Sequence, residues 1–329
     1  MSNRPNIFDY ATSELSQDAF FAWLLEWAED GYAQTEPQLH MCAFKLLETF
    51  FKKYYDNFHD KLVDKDFNGL EELKKFSNVE KIKSVYVNRQ EKHIDLLLTI
   101  ETEKNGDYYI IIEDKTLSGI HGEQLKNYRN NWLKDDEKKK RTCFIYLKTG
   151  TMDENEKKQV KKSKYSLFDL NDIYALLKGY KSLDSEIFDG YFFKLETVYY
   201  FNQFINEFDS NPSVKHYRHG VWKNHCYYFY KHKKRAKCGK KDYYLALDVW
   251  LDTNKLDFCF HIIRDLEGNW INKSEKDINT IEEINNIKNN GYEYMSDDNY
   301  YEKKVQFKDK EDLNDLIKKE IQNLFSAGE

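Results

Sequence analysis

Proline and glycine are scarce in this chain, and long apolar runs are missing. Only 3 Pro and 13 Gly occur in 329 residues, which excludes a fibrous or linker-rich protein. The five cysteines, Cys42, Cys143, Cys226, Cys238 and Cys259, are scattered and odd in number, with no CxxC pair. Neither a disulfide framework nor a compact zinc knuckle is indicated. No apolar run approaches the roughly 18 residues that span a bilayer. The polar stretch Met1–Tyr10 lacks the apolar core of a signal peptide. We therefore expect a soluble cytoplasmic protein in a reducing compartment, without a membrane partner. Basic charge is also short. With 51 Lys and Arg against 57 Asp and Glu, the net charge of −6 argues against a uniformly cationic surface.

What is present can build a core. A 40% hydrophobic fraction and a 16% aromatic fraction exclude a disordered chain despite the many charges. The length suits one large domain or two ordinary ones. The cations are unevenly placed. Ser210 to Lys241 holds ten Lys and Arg and no acid, while the rest of the chain has all 57 acids and 41 bases. Such a stretch in an otherwise acidic protein is a candidate phosphate-contacting surface.

Ser13, or Thr12, caps a first helix that continues through the apolar run Ala19–Leu25. Phe44, Leu47, Phe50 and Tyr54 recur at helical spacing in a second, from about Gln38 to Phe58. Three strand-like stretches follow, Val79–Asn88, His93–Thr102 and Tyr108–Lys115, with Asn105-Gly106 as turn chemistry between the last two. A helix from Gly119 to Leu133, a buried strand at Cys143–Leu147, and helices at Leu170–Leu177 and Glu186–Phe208 complete this half. The order describes an α/β sandwich around a mixed central sheet. Asn211-Pro212 marks a break. Beyond it come aromatic strands at His225–Lys231, Tyr243–Asp252 and Lys255–Arg264, a polar helix near Asp277–Asn289, a strand at Tyr300–Phe307 and a helix over Lys310–Phe325. We expect an α/β domain over residues 1–210 and a smaller α+β domain over 211–329. Trp222, Trp250 and Trp270 read as core of the latter.

Ile94-Asp95, seventeen intervening residues and then Glu113-Asp114-Lys115 form the chemically suggestive pattern. Strand side chains alternate, so Glu113 and Lys115 share a face while Asp114 points away. A hairpin through Asn105-Gly106 brings Asp95 to the same end of the sheet. Two carboxylates suit Mg²⁺ or Mn²⁺, which bind few protein oxygens and keep waters. A lysine beside them can stabilise charge on a transferring phosphoryl group. Gln124 and Tyr128, four apart, share a face of the next helix. They can hydrogen-bond a phosphate or stack on a base.

Asp95 … Glu113-Asp114-Lys115 … Gln124-Leu-Lys-Asn-Tyr128 resembles the PD-(D/E)XK nuclease superfamily, in the RecB-like branch whose next helix carries a QxxxY motif. Asn6 to Phe21 resembles the first helix of a bacterial group within it. The resemblance covers roughly residues 6 to 150. It implies a restriction-endonuclease-like fold and a Mg²⁺- or Mn²⁺-dependent nuclease. Asp95, Glu113 and the backbone carbonyl of Asp114 would hold the metal, with Glu14 binding it directly or through water. Lys115 would be the catalytic lysine, supported by Gln124 and Tyr128. By the same resemblance DNA is expected ahead of RNA, with a role in restriction or phage defence, and a homo-oligomer is compatible. Ile94 stands where the superfamily's name has Pro.

Plainer readings compete at several positions. Glu14 can merely complement a helix dipole, and Tyr128 can pack against Leu125 and Trp132. His216, His219, His225, Cys226, His232 and Cys238 match no standard zinc spacing. Lys231, Lys233, Lys234, Arg235 and Lys237, following Tyr227–Tyr230, form either a nucleic-acid-binding loop or a solvated hairpin tip. The lysine-rich stretches Lys138–Arg141 and Lys157–Lys164 are expected to face solvent. A catalytically inactive module that binds nucleic acid or protein through the same fold is the alternative to the enzyme.

Overall fold

The apolar run Ala19–Leu25 folds into α1 (Ser13–Glu26). The recurrence of Leu39, Leu46, Leu47, Phe50, Phe51 and Tyr54 builds α2 (Pro37–Phe58), where all six are buried. The computed structural model describes residues 13–58, 73, 76, 81–91, 94–116, 118–120, 122–134, 138, 140–150, 152–181, 183–208, 214–222, 225–238, 241–252, 255–263, 287–295, 300–307 and 310–325. The chain divides into two compact units, Met1–Leu195 and Glu196–Glu329.

The first unit is built on a mixed five-stranded sheet. Its strands are β1 (Ile82–Glu91), β2 (Ile94–Thr102), β3 (Asp107–Lys115), β4 (Thr142–Lys148) and β5 (Ser166–Asp169), adjacent in that order. The β1–β2 and β2–β3 pairs are antiparallel, whereas β3–β4 and β4–β5 are parallel. Asn105-Gly106 makes the expected turn between β2 and β3. Gly106 adopts φ +74°, and Thr102 Oγ1 donates to its carbonyl at 2.7 Å while accepting from the Asn105 amide at 3.1 Å. β3 is buried along almost its whole length and β4 throughout. A central strand enclosed on both faces needs such an unbroken apolar run.

α3 (Gln124–Trp132) and α4 (Glu154–Lys162) connect β3 to β4 and β4 to β5, and α5 (Leu170–Lys178) and α6 (Glu186–Phe208) follow β5. Phe51 and Phe76 pack on Tyr108, and Gln17 bonds Asp114, so α1 and α2 cover one face of the sheet. Trp132 meets Tyr109, Gln124 meets Glu113, and Glu156 meets Tyr146, which places α3 and α4 on the other. The result is an α/β sandwich of the restriction-endonuclease-like kind. Local chemistry fixes the helix starts. Asp153 caps α4 by accepting from the Glu156 amide, and Asp169 with Asp172 forms a capping box on α5.

Several details differ from expectation. β1 starts three residues later than predicted, at Ile82. α4 and β5 were not foreseen, because a charged segment with one buried residue, Val160, gives little periodic signal and a strand of four residues gives less. Lys138 is half-buried rather than solvated, over the rings of Trp132 at 4.9 Å and Tyr109 at 5.6 Å. Arg141 lies 5.8 Å from the Tyr108 ring. Their long alkyl stems and charged heads cover the aromatic rings at the start of β3 and on α3.

The second unit carries a six-stranded antiparallel sheet in the order β10-β11-β9-β8-β7-β6. The strands are β6 (Val214–Trp222), β7 (His225–Cys238), β8 (Lys241–Asp252), β9 (Lys255–Ile263), β10 (Glu293–Met295) and β11 (Tyr300–Gln306), followed by α7 (Lys310–Phe325). Leu247, Val249, Phe258, Phe260 and Tyr301 are buried in the sheet, as are Leu313 and Ile317 in α7. The expected basic loop is a strand. Lys231, Lys233, Lys234, Arg235 and Lys237 continue β7, with Lys237 opposite Asp242 and a register irregularity between Lys231 and Arg235. Pairing with the aromatic β8 extends β7 past its own aromatic half. The side chains of these five residues, and those of the six His and Cys considered for zinc, lie outside the described residues, as do Trp270 and most of the helix expected near Asp277–Asn289.

Candidate active site

β2 begins, and β3 ends, at the same margin of the sheet. Leu96 pairs with Ile112 and Leu97 with Ile111, so alternation puts Asp95 on the face that Glu113 and Lys115 share. The three side chains meet. Lys115 Nζ lies 2.7 Å from Glu113 Oε1 and 3.3 Å from Asp95 Oδ2. It also donates to the Asp114 carbonyl at 3.1 Å. The Asp114 amide in turn donates to Asp95 Oδ2 at 2.9 Å. Glu113 is sealed, with 1% of its side chain exposed, and Asp95 is the open member at 22%. The approach to the site is therefore from the Asp95 side.

The helix after β3 supports this cluster from the same face. Gln124 Nε2 donates to Glu113 Oε1 at 2.7 Å and to Tyr128 Oη at 2.9 Å. Glu113 Oε1 thus accepts from both an ammonium and an amide. Its other oxygen, Oε2, is buried without a hydrogen-bond partner among the described residues. An orphaned carboxylate oxygen is costly to bury. Burial first, and then the neighbouring Asp95 charge, push the Glu113 carboxyl up to about 7 against the opposing pull of Lys115. Burial depresses Lys115, but Glu113 and Asp95 more than offset it and hold the ammonium above the ordinary lysine value.

The opposite face of β3 contains residues that the sequence reading did not assign. Asp114 points away from Glu113, as expected, and enters a buried polar cluster with Gln17 and Asp18 of α1. Burial raises Asp18 to about 6, with Asp95 adding repulsion, while its hydrogen bond to Asp114 and the charges of Arg89 and Lys115 oppose the rise. Burial and the adjacent Asp18 raise Asp114 well above the usual carboxylate range. One proton held between the two carboxyls relieves both. Gln17 Nε2 donates to Asp114 Oδ1, and Gln17 Oε1 accepts from Thr149 Oγ1 at 2.6 Å and Tyr191 Oη at 3.2 Å. Asp18 follows Glu14 by four residues, one helical turn, which was the available signal. Glu14 itself lies in α1, with its side chain outside the described residues.

These residues fit a hard divalent cation. Two acids, Asp95 and Glu113, flank the Lys115 ammonium on one face of β3, and two more, Asp114 and Asp18, lie behind them on the other face. Three of their buried oxygens, Asp18 Oδ1, Glu113 Oε2 and Asp114 Oδ2, have no hydrogen-bond donor among the described residues, and Glu113 Oε2 is the one on the Lys115 face. Among the described residues no group of three or more His, Cys, Asp or Glu is arranged to hold a metal. The candidate set is smaller, two carboxylates and the Asp114 carbonyl, and Mg²⁺ characteristically completes such a set with water. No helix among the described residues is long and apolar enough to cross a membrane.

Comparison with known proteins agrees with this geometry. A family model described as the PD-(D/E)XK nuclease superfamily matches residues 5–186. Searches of curated proteins and of solved structures give no significant match. The family match spans more than half of the chain and encloses Asp18, Asp95, Glu113, Asp114, Lys115, Gln124 and Tyr128. This chain belongs to the PD-(D/E)XK nuclease superfamily.

Proposed function

We propose that the protein is a Mg²⁺- or Mn²⁺-dependent nuclease that hydrolyses phosphodiester bonds in DNA. The observation that carries this reading is the placement of Lys115 Nζ between Glu113 Oε1 at 2.7 Å and Asp95 Oδ2 at 3.3 Å. Asp95, Glu113 and the Asp114 carbonyl would hold the cation. When bound, a divalent metal polarises a phosphoryl oxygen and makes its water more acidic. Lys115 is an ammonium and acts as a hydrogen-bond donor that stabilises the extra negative charge of the pentavalent transition state. Gln124 keeps Glu113 oriented, and Tyr128 keeps Gln124 oriented. The sealed environment of Glu113 strengthens each of these electrostatic contacts.

The Gln124–Tyr128 pair supports placement in the RecB-like branch with a QxxxY motif, and that likeness favours DNA over RNA. A role in restriction or defence against invading DNA follows from the same resemblance. Residues 1–210 would form the catalytic domain, and residues 211–329 would bind substrate through Lys231, Lys233, Lys234, Arg235 and Lys237. The test is to incubate purified protein with linear, circular and single-stranded DNA, and with RNA, in Mg²⁺, Mn²⁺ or EDTA. Cleavage of DNA only with metal is expected. Retained DNA binding without cleavage in either metal would make this an inactive binding module. Cleavage of RNA alone would change the substrate.

A further inference from the structure

Gln17 is a glutamine with 3% exposure, buried beside Asp18 in a helix whose other buried residues are apolar, and both ends of its amide are engaged. Two hydroxyl donors, Thr149 Oγ1 after β4 and Tyr191 Oη on α6, converge on Oε1. The Asp114 carboxylate oxygen accepts from the N–H₂ end, which leaves Oε1 to accept from the two hydroxyls. A hydrophobic residue there would leave three buried polar groups unpaired, each costing about 1–3 kcal/mol. Packing alone would not select this side chain.

The grip on Asp114 matters because of what the Asp114 backbone does. Its amide donates to Asp95 Oδ2 at 2.9 Å, and its carbonyl accepts from Lys115 Nζ at 3.1 Å. Rotating this residue moves both groups and swings Glu113 and Lys115, its two chain neighbours, on the other face. We infer that Gln17 is a positioning residue: by holding the Asp114 side chain it sets the peptide that aims Asp95 and presents the Asp114 carbonyl to a divalent cation. The inference rests on the nuclease reading for its purpose, but its geometry can be tested without activity.

The polarity of the contact gives a sharp experiment. Gln17→Met keeps the volume and removes the hydrogen bonds. Gln17→Glu with Asp114→Asn reverses donor and acceptor and leaves the net charge unchanged. The new carboxylate still accepts from Thr149 and Tyr191, and the new amide donates to it. Hydrogen exchange at the Asp114 amide, Mn²⁺ affinity by electron paramagnetic resonance, and plasmid cleavage are measured on the full chain. Gln17→Met should exchange faster at Asp114, bind Mn²⁺ roughly tenfold more weakly, and lose kcat with KM for DNA little changed. The double variant should recover most of the exchange protection and affinity. Protection and affinity within twofold of wild type in Gln17→Met, or a double variant no better than Gln17→Glu alone, would overturn the inference. If Gln17→Met does not fold, Tyr191→Phe and Thr149→Val decide. Each frees one anchor of the amide and should speed exchange at Asp114, and unchanged exchange in both defeats the inference. Wild-type protein that neither binds Mn²⁺ nor cuts DNA would defeat the nuclease reading, while exchange at Asp114 would still decide the role of Gln17.

Discussion

Glu113 holds its proton far more tightly in the folded chain than in the unfolded one, and that has a measurable consequence. Its carboxyl is raised from 4.5 to about 7, mainly by burial. Between those values the folded state binds the extra proton, so this contribution to stability is fully present below about 4.5 and is lost as pH rises through about 7. In EDTA, wild type should therefore lose on the order of 3 kcal/mol relative to Glu113→Gln between pH 4.5 and pH 8. Lys115 stays protonated over this window and contributes nothing to the slope. Parallel wild-type and Glu113→Gln curves in urea titrations would contradict the burial of this carboxyl. Gln124→Ala removes the amide that shares Glu113 Oε1 with Lys115. It should lower kcat by roughly tenfold or more, and Tyr128→Phe by less, since Tyr128 reaches Glu113 only through Gln124. An equal loss in both would instead place Tyr128 on the substrate.

Among the elements, the β2–β3 hairpin sets the site because it fixes which residues of two strands face each other. Gly106 combines φ +74° with a space already filled, since an added Cβ would stand 2.1 Å from Arg141 Nη1. Gly106→Ala should cost about 1–2 kcal/mol in chemical denaturation, part from the left-handed backbone and part from displacing Arg141. A neutral substitution would mean that the turn tolerates another conformation. This hairpin was legible in the sequence because Asn-Gly, an apolar strand and an abrupt charged end are all local signals. The Glu113–Lys115–Asp95 contact followed from it by alternation alone. The Gln17–Asp18–Asp114 cluster did not, because its members are about a hundred residues apart and only packing of α1 on the sheet joins them. Likewise α4 was hidden by its charge, and the lysines of β7 read as a loop because pairing with β8, not local propensity, makes them a strand.

For the whole molecule, the proposed function requires an acidic chain to attract a polyanion, and the sequence concentrates cations in β7. Changing Lys233, Lys234 and Arg235 together to Ala should weaken DNA binding and reduce the slope of log K against log salt by up to about 3. Mn²⁺ affinity should not change. An unchanged salt slope would remove this strand from the substrate path. The claim on which the rest depends is narrower: Asp95 and Lys115 act together on a phosphodiester bond. It is tested most directly by plasmid cleavage in Mn²⁺ with wild type, Asp95→Ala and Lys115→Ala, each checked for an intact fold by circular dichroism. Cleavage by wild type and a loss of at least about a hundredfold in both variants is the expected result. Cutting that persists in both folded variants would show that the chemistry happens elsewhere.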